Sequence, residues 1–254
     1  MDPEARLRRL EHRAPACYAG PVIFNPLRRG GRPPRTIADH RARLIAEIEA
    51  EVRETSRYLG KDRLAPAVIV ALEKVPRHAF VPPEVEHLAY ENAPLAIGYG
   101  QTISQPYIVA VMTDMLEPRP ADVVLEIGTG SGYQAAVLAE LVKQVYGIEL
   151  VPELAAGAAE RLARLGYRNV EVRQGDGALG WPEHAPYDGI MVTAAAPEIP
   201  EALLAQLKAG RRLVAPVGEP GEHQELMIVE KGPQGEVRER VTLPVAFVPL
   251  RGGP

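Results

Sequence analysis

The feature that most constrains the fold is an alternation that begins at Asp122. Short runs rich in Val, Ile and Leu recur at Val123–Ile127, Val145–Glu149, Val170–Arg173, Gly189–Thr193 and Leu213–Val217. Helical stretches at Tyr133–Val142, Glu153–Leu165 and Pro200–Lys208 lie between most of them. Parallel neighbours need a long crossover, usually a helix. Strands alternating with helices therefore predict an α/β fold: an open, mostly parallel, doubly wound sheet covered on both faces. The end of the chain breaks the pattern. Leu226–Val229 and Val237–Leu243 flank Gly232-Pro-Gln-Gly235, which predicts a C-terminal antiparallel hairpin.

The first half reads differently. Ile37, Leu44, Ile45, Ile48, Val52 and Leu59 recur at three- and four-residue steps, as one apolar helix face. Thr36 and Asp39 have capping-box spacing, and Gly60 is a stop signal. Further helices are predicted at Ala65–Lys74 and Pro106–Leu116, with 75–104 between them read as loop. The acids of Glu47–Glu54 read as a solvated helix face. Residues 14–35 hold five Pro, three Gly and four Arg with no periodicity, an irregular stretch. The expected division is an irregular basic arm at 1–35, a helical and loop region at 36–120 that carries the substrate segment, and a cofactor-binding core at 121–254.

Charge is uneven. Residues 1–43 carry ten Arg against four acids, and the remainder carries 19 basic against 29 acidic residues. A basic arm can touch nucleic acid, but this one lacks interleaved aromatics for base stacking, so a solvated tail leaning on its own acidic body is the expectation. No run approaches the ~18 apolar residues of a membrane span. Met1–Arg13 has no apolar segment behind its basic residues, so no secretory signal is expected. One cysteine, Cys17, excludes an internal disulfide framework. His78 and His87 have no second ligand at metal spacing. The expectations are a cytoplasmic location, no membrane or nucleic-acid partner, no metal, and a monomer.

Val124-Leu-Glu-Ile-Gly-Thr-Gly-Ser-Gly-Tyr133 joins a buried strand to a helix through Gly128, Gly130 and Gly132. Such a loop lets a ligand approach the backbone and the free N–H groups of the helix start. A dinucleotide fingerprint needs glycine where Tyr133 stands, and a phosphate loop needs a Lys that is missing. Glu126 would repel a phosphate, yet could serve a cationic ligand directly or by shaping the loop. Glu149, 17 residues after Gly132, can accept both hydroxyls of a ribose. Asp176 can accept from an adenine amino group, with Gly177 keeping the backbone clear. Three such features at the ends of successive strands point to S-adenosyl-L-methionine, a cationic nucleoside without phosphate, and so to a Rossmann-like class I methyltransferase with N-terminal helical additions.

The chain resembles the protein-L-isoaspartate (D-aspartate) O-methyltransferases. The resemblance is carried by Val75-Pro-Arg-His-Ala-Phe-Val-Pro82, Gly98-Tyr-Gly-Gln-Thr-Ile-Ser-Gln-Pro-Tyr107, the glycine loop, Gly175-Asp-Gly177, Val192-Thr-Ala-Ala-Ala-Pro197 and Val214-Ala-Pro-Val-Gly218. It implies methylation of the free α-carboxylate of L-isoaspartyl and D-aspartyl residues in damaged proteins, after which the ester closes to a succinimide. The family's active-site serine falls on Ser104. Candidate cofactor contacts are Gln101, Thr102, Ile103, Glu126, Gly128, Thr129, Gly130, Ser131, Gly132, Glu149, Leu150, Asp176 and Gly177. Three departures stand out: Arg211 replaces a turn glycine, Arg251 stands where some members have Thr, and the first ~55 residues match nothing in the family.

The chemistry fits. A carboxylate nucleophile has a pKa of about 3 to 4 and needs no general base. A neutral hydroxyl on Ser104 can orient one oxygen without over-stabilising a charge that the transition state loses. Read without the family, Ser104 also fits a helix N-cap before Gln105-Pro106. Tyr133 and Trp181 read as packing residues. Two alternatives stay open: a related methyltransferase acting on a dedicated peptide Asp, RNA or a small molecule, and a non-catalytic binding module.

Overall fold

The computed structural model describes residues 36–219 and 222–252. Cys17 and the 1–35 arm lie outside the described residues. Helix α1, Ile37–Glu54, opens on the expected capping box: the Asp39 amide donates to Thr36 Oγ1 at 3.1 Å, and the Thr36 amide donates to Asp39 Oδ2 at 3.0 Å. Leu44, Ile45, Ile48 and Val52 are buried, whereas Ile37 is exposed ahead of the packed turns. The single turn α2, Ser56–Leu59, stops at Gly60 in the left-handed region. Helix α3, Pro66–Lys74, starts on the proline, where no N–H is needed.

Residues 75–104 are not all loop. Two 3-10 turns, Arg77–Phe80 and Pro83–Leu88, precede an antiparallel hairpin of β1, Leu95–Gly98, and β2, Gln101–Ile103. Tyr99 and Gly100 turn it with φ of 55° and 71°, the two positive angles a tight two-residue hairpin requires. Strands of four and three residues are too short for alternation to show. Helix α4, Pro106–Leu116, has the expected bounds.

The core then alternates through β3 (Val123–Ile127), α5 (Tyr133–Ala139), β4 (Gln144–Glu149), α6 (Pro152–Arg164), β5 (Val170–Gln174), β6 (Tyr187–Val192), α7 (Glu201–Gln206), β7 (Leu207–Val217), β8 (Gln224–Lys231) and β9 (Val237–Val245). The seven-stranded sheet has the order β5-β4-β3-β6-β7-β8-β9. Contacts from β5 through β7 are parallel, and β8 and β9 add antiparallel. Helix α7 stops two residues before the expected Lys208, because Leu207 is buried in register with Tyr187 as the first residue of β7. Side chains alternate across the sheet. Val124, Val145, Met191 and Val214 join α1, α3, α4 and α5 in one cluster, while Leu125, Ile127, Ile148, Ile190 and Leu213 join Trp181, Tyr187 and Leu203 in another.

The position of Arg211 has a clear structural account. Its guanidinium pairs with Asp122, and Lys208 pairs with Asp188 at 2.8 Å, while Asp188 Oδ2 also accepts from the Val123 amide at 3.0 Å. Strands β3, β6 and β7 are thus clamped at the edge of the sheet away from the glycine loop. No helix among the described residues is long and apolar enough to cross a membrane.

Candidate active site

Strand order reverses at β3, so a crevice opens beyond the C-terminal ends of β3, β4 and β6. The glycine loop is pinned there from both sides. The Gly128 amide donates to the Ile148 carbonyl at 2.8 Å, the Thr193 amide donates to the Ile127 carbonyl at 2.9 Å, and Thr193 Oγ1 donates to the Gly128 carbonyl at 2.7 Å. Gly128 has φ of 88°, and a Cβ there would sit 2.7 Å from Thr193 Oγ1. Gly132, at φ 87°, caps α5, and its Cβ would sit 3.1 Å from Leu162 Cδ1. Any side chain at either position strains the turn and displaces a neighbour.

A cleft of about 800 Å³, counting its open mouth, lies above this loop. It brings together Gln101, Thr102, Ile103, Ser104, Gly128, Thr129, Gly130, Ser131, Glu149, Leu150 and Gly177. Segments separated by more than 70 residues in the chain thus meet in one place. Ile127, Ile148, Val248 and Leu250 supply apolar wall, and Arg251 is, among the described residues, the one cationic side chain on the lining.

Three expected contacts do not reach the cleft surface. Gly132 is tucked against α6, as above. Asp176 stands one residue outside the lining, its Oδ1 accepting from the Ala178 amide at 2.9 Å and its carboxylate packed by Gly252. Glu126 is fully buried beneath the loop, with its side chain directed at Gly147 and Thr129. Its strand position is the reason: residues 125 and 127 face one side of the sheet, and 124 and 126 the other. Neither carboxyl oxygen has a well-aligned hydrogen bond. Burial pushes the group up to about 8, with Glu149 adding to the rise and Thr129 and the Ala135 amide opposing it. Glu126 is therefore a protonated acid under the loop at neutral pH. It packs under the loop and is not on the cleft lining.

Glu149 ends β4 and is held by backbone amides: Gly130 N–H to Oε2 at 2.7 Å and Val151 N–H to Oε1 at 2.9 Å. Each oxygen keeps a lone pair for a ligand hydroxyl. A carboxylate, apolar walls and a single rim cation suit a cationic nucleoside and oppose a polyphosphate. The residues present therefore fit S-adenosylmethionine.

Ser104 is not a helix cap. Gln105 occupies the N-cap of α4 without a side-chain hydrogen bond. Ser104 faces the cleft, and its hydroxyl makes no hydrogen bond among the described residues. Its carbonyl accepts from Arg77 Nη2 at 2.9 Å, and the same guanidinium reaches the carbonyls of Ala89 at 3.0 Å and Ala93 at 3.3 Å. Arg77 also lies 4.8 Å above the Tyr133 ring. Sequence reasoning did not single it out, because an arginine in a Pro-flanked segment looks exposed until the fold closes over it. Tyr133, expected as packing, is buried and also borders the cleft. Thr193 and the 248–251 tail were likewise not expected. The tail reaches the site because the Ala195 amide donates to the Val248 carbonyl at 2.8 Å and the Leu250 amide donates to the Ala195 carbonyl at 2.6 Å, a parallel bridge centred on Pro249. Trp181 is packed against Tyr146 and His184, outside the cleft. His78 bonds the Tyr90 hydroxyl at 2.8 Å, and His87 is exposed.

Comparisons with known proteins agree with this geometry. Residues 52–253 match the sequence profile of the protein-L-isoaspartate(D-aspartate) O-methyltransferase (PCMT) family. Protein-L-isoaspartate O-methyltransferase 2 of Syntrophobacter fumaroxidans is 61% identical over 213 residues, covering 84% of this chain and 86% of its own. The enzyme of the same name from Nitrosococcus oceani is 57% identical over 209 residues, covering 82% and 95%. A solved protein-L-isoaspartate O-methyltransferase superposes with a TM-score of 0.72 at 27% identity, covering 84% of this chain and 66% of that one. The chain belongs to the protein-L-isoaspartate (D-aspartate) O-methyltransferase family.

Proposed function

We propose that this protein transfers the methyl group of S-adenosylmethionine to the free α-carboxylate of L-isoaspartyl and D-aspartyl residues in damaged proteins and peptides, which begins their repair through a succinimide. The observation that carries the reading is the meeting of Ser104 with the glycine loop and Glu149 on one cleft. The bound nucleoside supplies a reactive sulfonium methyl. Glu149 would hold the ribose hydroxyls, the loop 128–131 would sit against the nucleoside, and Gly177 would leave room for the base.

The chain's own residues then have two tasks. Ser104 Oγ donates to one oxygen of the incoming carboxylate and leaves the other free to attack. Gln101, Thr102 and Ile103 close the same wall and keep water from the line of transfer. Alignment of this kind supplies up to about 7–11 kcal/mol in ideal cases. No proton needs to move, so the lack of a His-Asp pair on the lining is consistent with the chemistry.

The region at 36–120 delivers the substrate segment to the core at 121–254. The working unit in this reading is a monomer without a nucleic-acid partner. The cytosol is the proposed compartment, in keeping with one cysteine among 254 residues. Labelled methyl transfer tests the reading. An isoaspartyl peptide should acquire base-labile label while its Asp twin does not. Label on the Asp peptide or on RNA would overturn it.

A further inference from the structure

The acids of α1 do not form one solvated face. Glu47, Glu49 and Glu54 are exposed, but Glu51 turns inward. Its Oε2 accepts from Asn92 Nδ2 at 2.7 Å, and both of its oxygens lie 3.4 Å from Gln105 Nε2. Asn92 in turn accepts the Tyr107 amide on Oδ1 at 3.0 Å. This second bond has a specific use. Helix α4 has no cap of its own, because Gln105 does not bond back and Pro106 has no N–H. The Tyr107 amide is the first N–H that needs an acceptor, and Asn92 provides it from 15 residues away. One turn further along α1, Thr55 Oγ1 meets the Tyr107 hydroxyl at 2.6 Å.

The three residues Ser104-Gln105-Pro106 are therefore pinned at both ends. Arg77 holds the Ser104 carbonyl, and Asn92 holds the Tyr107 amide. An amide side chain can rotate by half a turn, which would present its NH₂ to the Tyr107 N–H and break the cap. Glu51 selects the working orientation, because a carboxylate only accepts. Glu51 lies one residue before the family profile begins.

We propose that Glu51 is a positioning residue for methyl transfer, acting on Ser104 by fixing the Asn92 amide against the start of α4. This rests on the assignment of Ser104 to the substrate carboxylate. Glu51 touches neither cleft nor ligand. Its loss leaves cofactor binding intact and lets the Ser104 hydroxyl wander, and a misplacement of about 1 Å can cost on the order of 100-fold in rate.

An exchange of the two groups tests this in the full chain. Asn92→Asp still caps Tyr107 but sets two carboxylates face to face. Glu51→Gln with Asn92→Asp restores a donor–acceptor pair in reverse. On an isoaspartyl peptide, kcat should fall about 10-fold in Asn92→Asp and in Glu51→Ala, and return within about 3-fold of wild type in the double variant. Peptide KM and the calorimetric affinity for S-adenosylhomocysteine should stay within about 3-fold throughout. Single variants at full speed, a double variant as slow as Asn92→Asp, or a parallel loss of cofactor affinity would each overturn the role of Glu51 beside an active wild type. A wild type that labels no isoaspartyl peptide overturns the reaction itself, and this role with it.

Discussion

The guanidinium of Arg77, only 1% exposed, donates to the carbonyl of Ser104 at 2.9 Å and so ties the proposed substrate segment to the protein interior. Burial lowers the Arg77 pKa to about 10, so the side chain stays charged at neutral pH. Arg77→Met would leave the carbonyls of Ala89, Ala93 and Ser104 unpaired, at about 1–3 kcal/mol for each one that stays dry. Denaturant unfolding should show a loss of at least about 3 kcal/mol, and kcat should fall further than peptide KM rises. Arg77→Lys should recover only part of either, because one ammonium lacks the planar fork that spans three carbonyls.

Glu126 makes stability depend on pH in an unusual direction. Its carboxyl titrates near the ordinary 4.5 when unfolded and at about 8 when folded. Between those values the native state holds a proton that the unfolded chain has lost, so stability falls as pH rises and levels off above 8. Each pH unit inside the window costs about 1.4 kcal/mol at most. Glu126→Gln, neutral at every pH, should flatten this part of the profile and gain on wild type from pH 6 to pH 8. Parallel profiles from chemical unfolding would contradict the assignment.

Arg211 and Asp122 form a pair in which both side chains are nearly buried, at 12% and 7% exposure. Arg211→Gly, which restores the glycine common in the family, should lower stability by about 3–5 kcal/mol, since it strands a buried carboxylate. The clamp is on the far edge of the sheet, so kcat should be unchanged. A double variant with Asp122→Asn should recover part of the loss in thermal unfolding.

Much of this architecture was legible in the sequence because its periodicities are physical. Strand β3 and helix α4 have their expected bounds, since Val123–Ile127 is buried on both faces and Pro106 marks a helix start. The hairpin β1–β2 was hidden, because its strands are too short to alternate and its turn depends on the backbone angle of Tyr99. In the cleft, glycine spacing and carboxylates at strand ends indicated the cofactor side. For Glu126 the sequence left open whether it meets a ligand directly or shapes the loop, because its proximity in sequence conceals that it points through the opposite face of the sheet. Arg77 and Glu51 act through the backbone carbonyl and amide of residues far along the chain, and no local pattern encodes such a partner.

The central claim is that Ser104 orients the carboxylate while the loop beside Glu149 holds the nucleoside. Steady-state methyl transfer by Ser104→Ala, read beside calorimetry with S-adenosylhomocysteine, tests it most directly. A hydrogen bond to a charged group is worth about 1.5–3 kcal/mol, so kcat should drop roughly 10- to 100-fold. Cofactor affinity should stay within a few-fold. Undiminished turnover, or an equal loss of cofactor binding, would contradict the account.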